Sequence, residues 1–146
     1  MNLAQFNISK IKYALDDSRM REFVENVELI NSLANRIDGF VYRVKDASGH
    51  AMNIRVYDDP SILPNLTVWR DIDCLRQFVF ETLHRKFFER GHEWFDPSFG
   101  SKNVMWLIKE NIIPTMEDGV DRMNHLQDNG PSLYAFDWIY ASNNKL

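Results

Sequence analysis

The sequence has few of the residues that staple, break or anchor a chain. One cysteine, Cys74, among 146 residues excludes an intramolecular disulfide framework and suggests a reducing compartment. Five prolines and six glycines are too few and too scattered to mark a linker. With no repeat or low-complexity tract, residues 1–146 read as a single domain. No apolar run approaches the roughly 18 residues of a membrane span. The opening stretch MNLAQFNISKIKYAL lacks the apolar core of a signal peptide. The expectation is a soluble cytoplasmic protein. Positive charge is not in excess: 17 basic against 21 acidic residues give a net charge of −4. A nucleic-acid partner calls for a basic stripe. The one basic cluster, Arg85, Lys86 and Arg90, is interrupted by Glu89 and reads as a solvated face. A glycine-rich phosphate loop, a nucleophile elbow and a paired-cysteine motif are all missing. Cys74 has no visible activator and reads as inert.

Apolar residues make up 45% of the chain and aromatics 13%. A chain of this length can bury roughly 70% of its unfolded surface, so folding needs no metal or disulfide. The aromatics suit either a tight core or a pocket for a flat apolar ligand. LAQFNI, residues 3–8, alternates with period two and predicts a strand with one wetter face. Asp16, Asp17 and Ser18 offer N-caps for an amphipathic helix through Met20, Phe23, Val24, Val27, Ile30, Leu33, Ala34 and Ile37, with Gly39 beyond its end. FVYRV, residues 40–44, is a second strand. Residues 46–50 are turn chemistry, and the alternating NIRVY, 53–57, is a candidate hairpin extension. Pro60 and Pro64 read as breakers, followed by a strand over 66–69.

A second helix starts near residue 73, capped by Asp71 or Asp73, with Leu75, Phe78, Val79 and Leu83 on one stripe and Gly91 as its stop. VMWLI, 104–108, is apolar throughout and predicts a central strand. Thr115 and Asp118 resemble a capping box for a short helix with Met116, Val120, Met123 and Leu126 inward, ended by Asn129, Gly130 and Pro131. Tyr134, Phe136, Trp138 and Tyr140 alternate as one face of a last strand. The predicted class is α+β: a ferredoxin-like β-α-β-β-α-β sheet with an added short helix and a C-terminal strand.

LTVWRDIDCLRQF, residues 66–78, is similar to the strand-to-helix passage of the antibiotic biosynthesis monooxygenase group. FVFETLHRKFFERGHEWF and IIPTMEDGVDRMNHLQDNGPSLYAF resemble an uncharacterised family of the same dimeric α/β-barrel superfamily. The residues that carry this are His84, Trp94, Phe95, Pro114, Thr115 and the Gly130-Pro131-Ser132 turn. The resemblance implies a homodimer, two sheets facing each other with helices outside. It also implies a range of activities: cofactor-free oxygenation of polyketide aromatics, haem degradation, haem-dependent dehydration, or none. The haem-degrading branch pairs an Asn on the first strand with a Trp and a His on the second helix. Asn7 matches, but Phe78 and Phe88 stand at the other two positions, so that branch is set aside. The expectation is no cofactor.

Two Glu-x-x-His pairs, Glu81/His84 and Glu89/His92, each lie on one helix face. They are eight residues apart, roughly 12 Å along a helix, and cannot share an ion. They read as surface salt bridges, with no metal expected. His84 lies off the Leu75–Val79–Leu83 stripe, flanked by Gln77, Phe80 and Phe88, which suggests a second buried surface. It is either a proton carrier at a pocket or a packed structural histidine. Gln5, Asn7 and Arg43 sit at strand positions, where they can hydrogen-bond a ligand oxygen between sheet and helices, or else meet solvent or an acidic partner. Trp69, Trp94, Trp106 and Trp138 are more often core than ligand platform. The candidate site is therefore His84 as catalytic group, with Asn7, Arg43, Trp69, Phe88 and Trp94 toward substrate. Two functions are open: a cofactor-independent monooxygenase-like enzyme acting on a flat aromatic molecule, or a dimeric ligand-binding or accessory protein without chemistry.

Overall fold

The computed structural model describes all residues except 47–50, 82–84, 87–88 and 101. Four strands form one antiparallel sheet: β1 (Asn2–Lys10), β2 (Phe40–Arg43), β3 (Ile62–Trp69) and β4 (Lys102–Ile108). Their spatial order is β2-β3-β1-β4. The helices are α1 (Arg21–Arg36), α2 (Ile72–Glu81), α3 (Met116–Asn129) and α4 (Trp138–Asn143). Through β4, the order of elements and strands is that of a ferredoxin-like split βαβ unit.

Period-two alternation divides the sheet into two faces. Ala4, Phe6 and Ile8 of β1 join Leu66, Val68, Val104 and Trp106 under Met116 and Met123 of α3. Leu3, Trp69 and Met105 point the other way and pack with Ala34 of α1, Leu75 and Phe78 of α2 and Ala141 of α4. A third cluster, Ile11, Met20, Phe23, Leu63 and Trp94, closes the far end of that second face. The face of β1 holding Gln5 and Asn7, expected to be the wetter one, faces the helical layer of α1 and α2: Gln5 is buried and Asn7 half-buried, while Ala4, Phe6 and Ile8 on the other face are all buried. The face on which the resemblance places a second copy's sheet is covered by α3 of the same chain.

Several expectations are corrected by local chemistry. Residues 53–57 form no strand; Ile54 donates its backbone N–H to Ala51 instead (3.0 Å), and Ile54, Val56 and Tyr57 pack against the α3-side core. Pro64 does not break β3 but sits inside it, opposite Ile8. The Leu66 carbonyl accepts from Val44 on the β2 side. Pro64 faces that same side two residues earlier, past the end of β2, so its missing N–H is not needed. β4 is an edge strand rather than a central one, with its outer side closed by Phe136, which exchanges two backbone hydrogen bonds with Met105 (2.8 and 2.9 Å). The expected last strand reduces to that bridge. Asp137 accepts the Tyr140 N–H (2.8 Å) and N-caps α4, so the cap overrides the alternation through Trp138 and Tyr140.

The Thr115 capping box forms as expected: Thr115 Oγ1 accepts the Asp118 N–H at 3.2 Å, and Asp118 Oδ2 accepts the Thr115 N–H at 2.8 Å. It sets where α3 starts, and so which residue meets β1. That residue is Gly119. A Cβ there would stand 2.5 Å from the Phe6 ring and 3.1 Å from Phe6 Cβ. Ala is the better helix former by about 1 kcal/mol, but the clash is with a fully buried ring beside backbone. Gly119→Ala is expected to destabilise the fold by about 1–3 kcal/mol, measured by urea denaturation. A stabilised variant would show that α3 is not clamped to β1.

Candidate functional site

The site begins with a bulge. Strict alternation would put Phe40 and Arg43 on opposite faces of β2. The register with β3 slips between Phe40 and Tyr42: Phe40 stands opposite Trp69, Tyr42 opposite Val68 and Arg43 opposite Thr67. Val41 is the extra residue, and Phe40 and Arg43 consequently share the face under α1. Arg43 is 9% exposed. Its Nη1 makes one long hydrogen bond to Asn35 Oδ1 of α1 (3.4 Å), and its guanidinium lies 5.1 Å from the centre of the Phe40 ring. Its Nε is buried without a hydrogen-bond partner, and it makes no ion pair among the described residues. Burial alone lowers its pKa to about 10, so it remains charged at neutral pH. A depression of that size corresponds to about 3 kcal/mol of unfavourable charge burial. The cost is present at every pH below about 10 and is relieved only as pH climbs beyond it toward the ordinary arginine range.

Beside Arg43 runs a chain of hydrogen bonds across three strands. Trp69 Nε1 donates to Thr67 Oγ1 (2.9 Å), Thr67 Oγ1 donates to Gln5 Oε1 (3.0 Å), and Gln5 Nε2 donates to Asn103 Oδ1 (2.6 Å). Gln5 and Thr67 are buried. The direction of the chain is forced. An indole N–H can only donate, a hydroxyl has one proton to pass on, and each amide must turn to match. Asn103 Nδ2 is left at the end, buried and without a partner. Asn7 lies opposite Asn65 and Asn103 on the same face, half-buried.

Arg43, Asn7 and Trp69 thus meet on one interior surface. Trp69 is fully buried between Phe40 (edge-on, centroids 5.3 Å) and Phe78 (stacked, 5.2 Å). Trp94 belongs to the cluster at the far end, against Phe23 (5.9 Å) and under the Arg90 guanidinium (4.9 Å). His84 and Phe88 lie outside the described residues. In the second Glu-x-x-His pair, Glu89 carboxylate meets Arg85 (3.2 Å), while His92 Nδ1 lies 3.2 Å from the Glu89 carbonyl. Arg90 bridges Glu22 and Glu93 and ties this segment to α1. Among the described residues no group of three or more His, Cys, Asp or Glu side chains could hold a metal. Thr67, Asn103 and Asn35 were not singled out by the sequence; Thr67 is polar between Leu66 and Val68, but Asn103 beside Lys102 and Asn35 beside Arg36 carry no such signal.

The sheet order defines a ferredoxin-like α+β protein, here with polar side chains between sheet and helices. Residues 2–145 match the family described as Domain of unknown function (DUF3291), and the chain belongs to it. Among solved structures, SnoaB, a cofactor-independent oxygenase from Streptomyces nogalater, is 15% identical, with a TM-score of 0.54 over 77% of this chain and 98% of that one. A conserved protein from Methanosarcina mazei Go1 is 14% identical, with a TM-score of 0.55 over 75% of this chain and 94% of that one. NE2512 of Nitrosomonas europaea, a protein of unknown function, is 12% identical, with a TM-score of 0.51 over 78% and 95%. At these identities the likeness is one of fold. No curated protein matches the chain by sequence. No helix among the described residues is long and apolar enough to cross a membrane.

The energetics of Arg43 are testable without a ligand. Its stacking on Phe40 returns about 0.5–2 kcal/mol, less than its charge burial costs. Arg43→Met is therefore expected to stabilise the free protein by about 1–2 kcal/mol, read from the chemical denaturation midpoint at pH 7. A loss of stability would make Arg43 a structural residue.

Proposed function

We propose that the chain binds a small organic molecule between the sheet and the α1–α2 layer, and that it acts there as a cofactor-independent, oxygenase-like enzyme on a flat hydroxylated aromatic. The observation that carries this is the buried Arg43 guanidinium without a counter-ion among the described residues. A protein gains nothing in stability by holding such a group, so a functional use is the better account of it. The fold shared with a cofactor-independent oxygenase supports the reaction class.

The chemistry asked of the site is modest. Removal of a proton from an activated CH2 gives an anion, whose electrons reduce dioxygen. One oxygen atom becomes the product carbonyl and the other leaves as water. Arg43 stabilises the anion, Asn7 helps hold it, and His84 is the proposed proton carrier. In the second reading the same residues bind a ligand without turnover. Incubation with anthrone-like and quinol substrates in air, without added haem or flavin, is expected to give oxygen uptake above background that is lost in Arg43→Gln. Background rates across the panel would favour the binding protein.

We also propose that two copies associate. Val41, Ile112 and Ile113 are exposed around a groove of about 370 Å³ beside β2, and this apolar rim, rather than the sheet under α3, is the surface free to meet a second chain. Light scattering at micromolar concentration should return twice the 17.3 kDa chain mass, and Ile113→Lys should lower it.

A further inference from the structure

From the unmatched hydrogen-bonding capacity of the site, we infer that its ligand is an organic oxyanion, a carboxylate, phenolate or enolate, and not a neutral or cationic molecule. This rests on the small-molecule reading above and adds the charge and polarity of what is bound.

Trp69 decides the matter from one end. Its N–H fixes Thr67 as acceptor, so the Thr67 proton goes to Gln5 Oε1, and Gln5 presents its amide nitrogen toward Asn103. Each acceptor in the row thereby takes one hydrogen bond. What remain are two donors on opposite edges of the sheet: Asn103 Nδ2 on β4, at the end of the row, and Arg43 Nε on β2, outside it. Both are buried, and Arg43, more than nine-tenths buried, brings a full positive charge. No carboxylate forms an ion pair with Arg43 among the described residues, and burial is the only cause acting on its pKa. A neutral amide or alcohol ligand would leave the charge uncompensated, and a cation would be repelled. An oxyanion beside Arg43 answers both the charge and the spare Nε–H, and a guanidinium fork suits a carboxylate or an enolate oxygen geometrically. The indole that sets this polarity is itself buried, so Trp69 and Thr67 are positioning residues.

Two matched probes separate charge from shape: 1-hydroxy-2-naphthoate and 1-hydroxy-2-naphthamide, titrated by calorimetry at pH 7 and followed by thermal shift. The naphthoate is expected to bind at least tenfold tighter than the amide. Arg43→Gln should weaken the naphthoate at least tenfold and leave the amide unchanged. Gln5→Glu keeps the acceptor for Thr67 but removes the amide donor, draws in the Asn103 donors and adds negative charge. It should abolish naphthoate binding while the near-ultraviolet circular dichroism stays native. Arg43→Lys, which keeps the charge and loses the fork, should fall between Arg43→Gln and the wild type. Equal binding of both probes by the wild type, or unchanged naphthoate affinity in the Arg43→Gln and Gln5→Glu variants, would overturn the oxyanion inference and leave the small-molecule reading standing. Binding of neither probe would overturn both.

Discussion

β1 is closed on all sides. β3 and β4 pair with its two edges, α3 covers one face, and α1 and α2 cover the other. Any polar group on that strand must be answered from within the protein, because an unanswered one costs about 1–3 kcal/mol. Gln5 is such a group, and the rest of the interior is arranged around it. Thr67 and Asn103 stand on the neighbouring strands at reach of its two amide ends, and Trp69 locks the direction. The satisfied part of this network is structural. Its unsatisfied end, Asn103 Nδ2, and the separate buried Arg43 Nε are a cost to the fold that apolar side chains would not carry.

The fold was legible from local patterns wherever a single period or cap controlled the outcome. The α1 stripe, the Thr115 box and the VMWLI run all appear where their chemistry puts them. Reading failed where a tertiary partner decided. Pro64 is tolerated because β2 happens to end beside it, and VMWLI is at an edge because Phe136 closes it off. The aromatic alternation over 134–140 promised a strand, but one aspartate turned it into a helix.

For the site, Asn7 and Arg43 could be named from the sequence as polar residues on strands, but their surroundings could not. The alternation that flagged Arg43 also placed it opposite to Phe40, and a one-residue bulge is invisible to a period-two pattern. The partners Thr67 and Asn103 each lie one strand away from Gln5, on opposite sides of β1, and far from it in the chain. Directed hydrogen bonding of that kind leaves no spacing to read. His84 and Phe88, two of the six residues of the sequence-based site, lie outside the described residues.

The bulge at Val41 has a bearing on solubility. A four-stranded sheet has two flanks that can recruit foreign strands. On the β4 flank, Phe136 occupies the Met105 backbone groups within the chain. On the β2 flank the strand is only Phe40–Arg43, and its ladder is interrupted at Val41. A short, kinked border offers a poor template for intermolecular β-pairing. The same irregularity that turns a guanidinium inward therefore also guards the sheet against fibrillar growth.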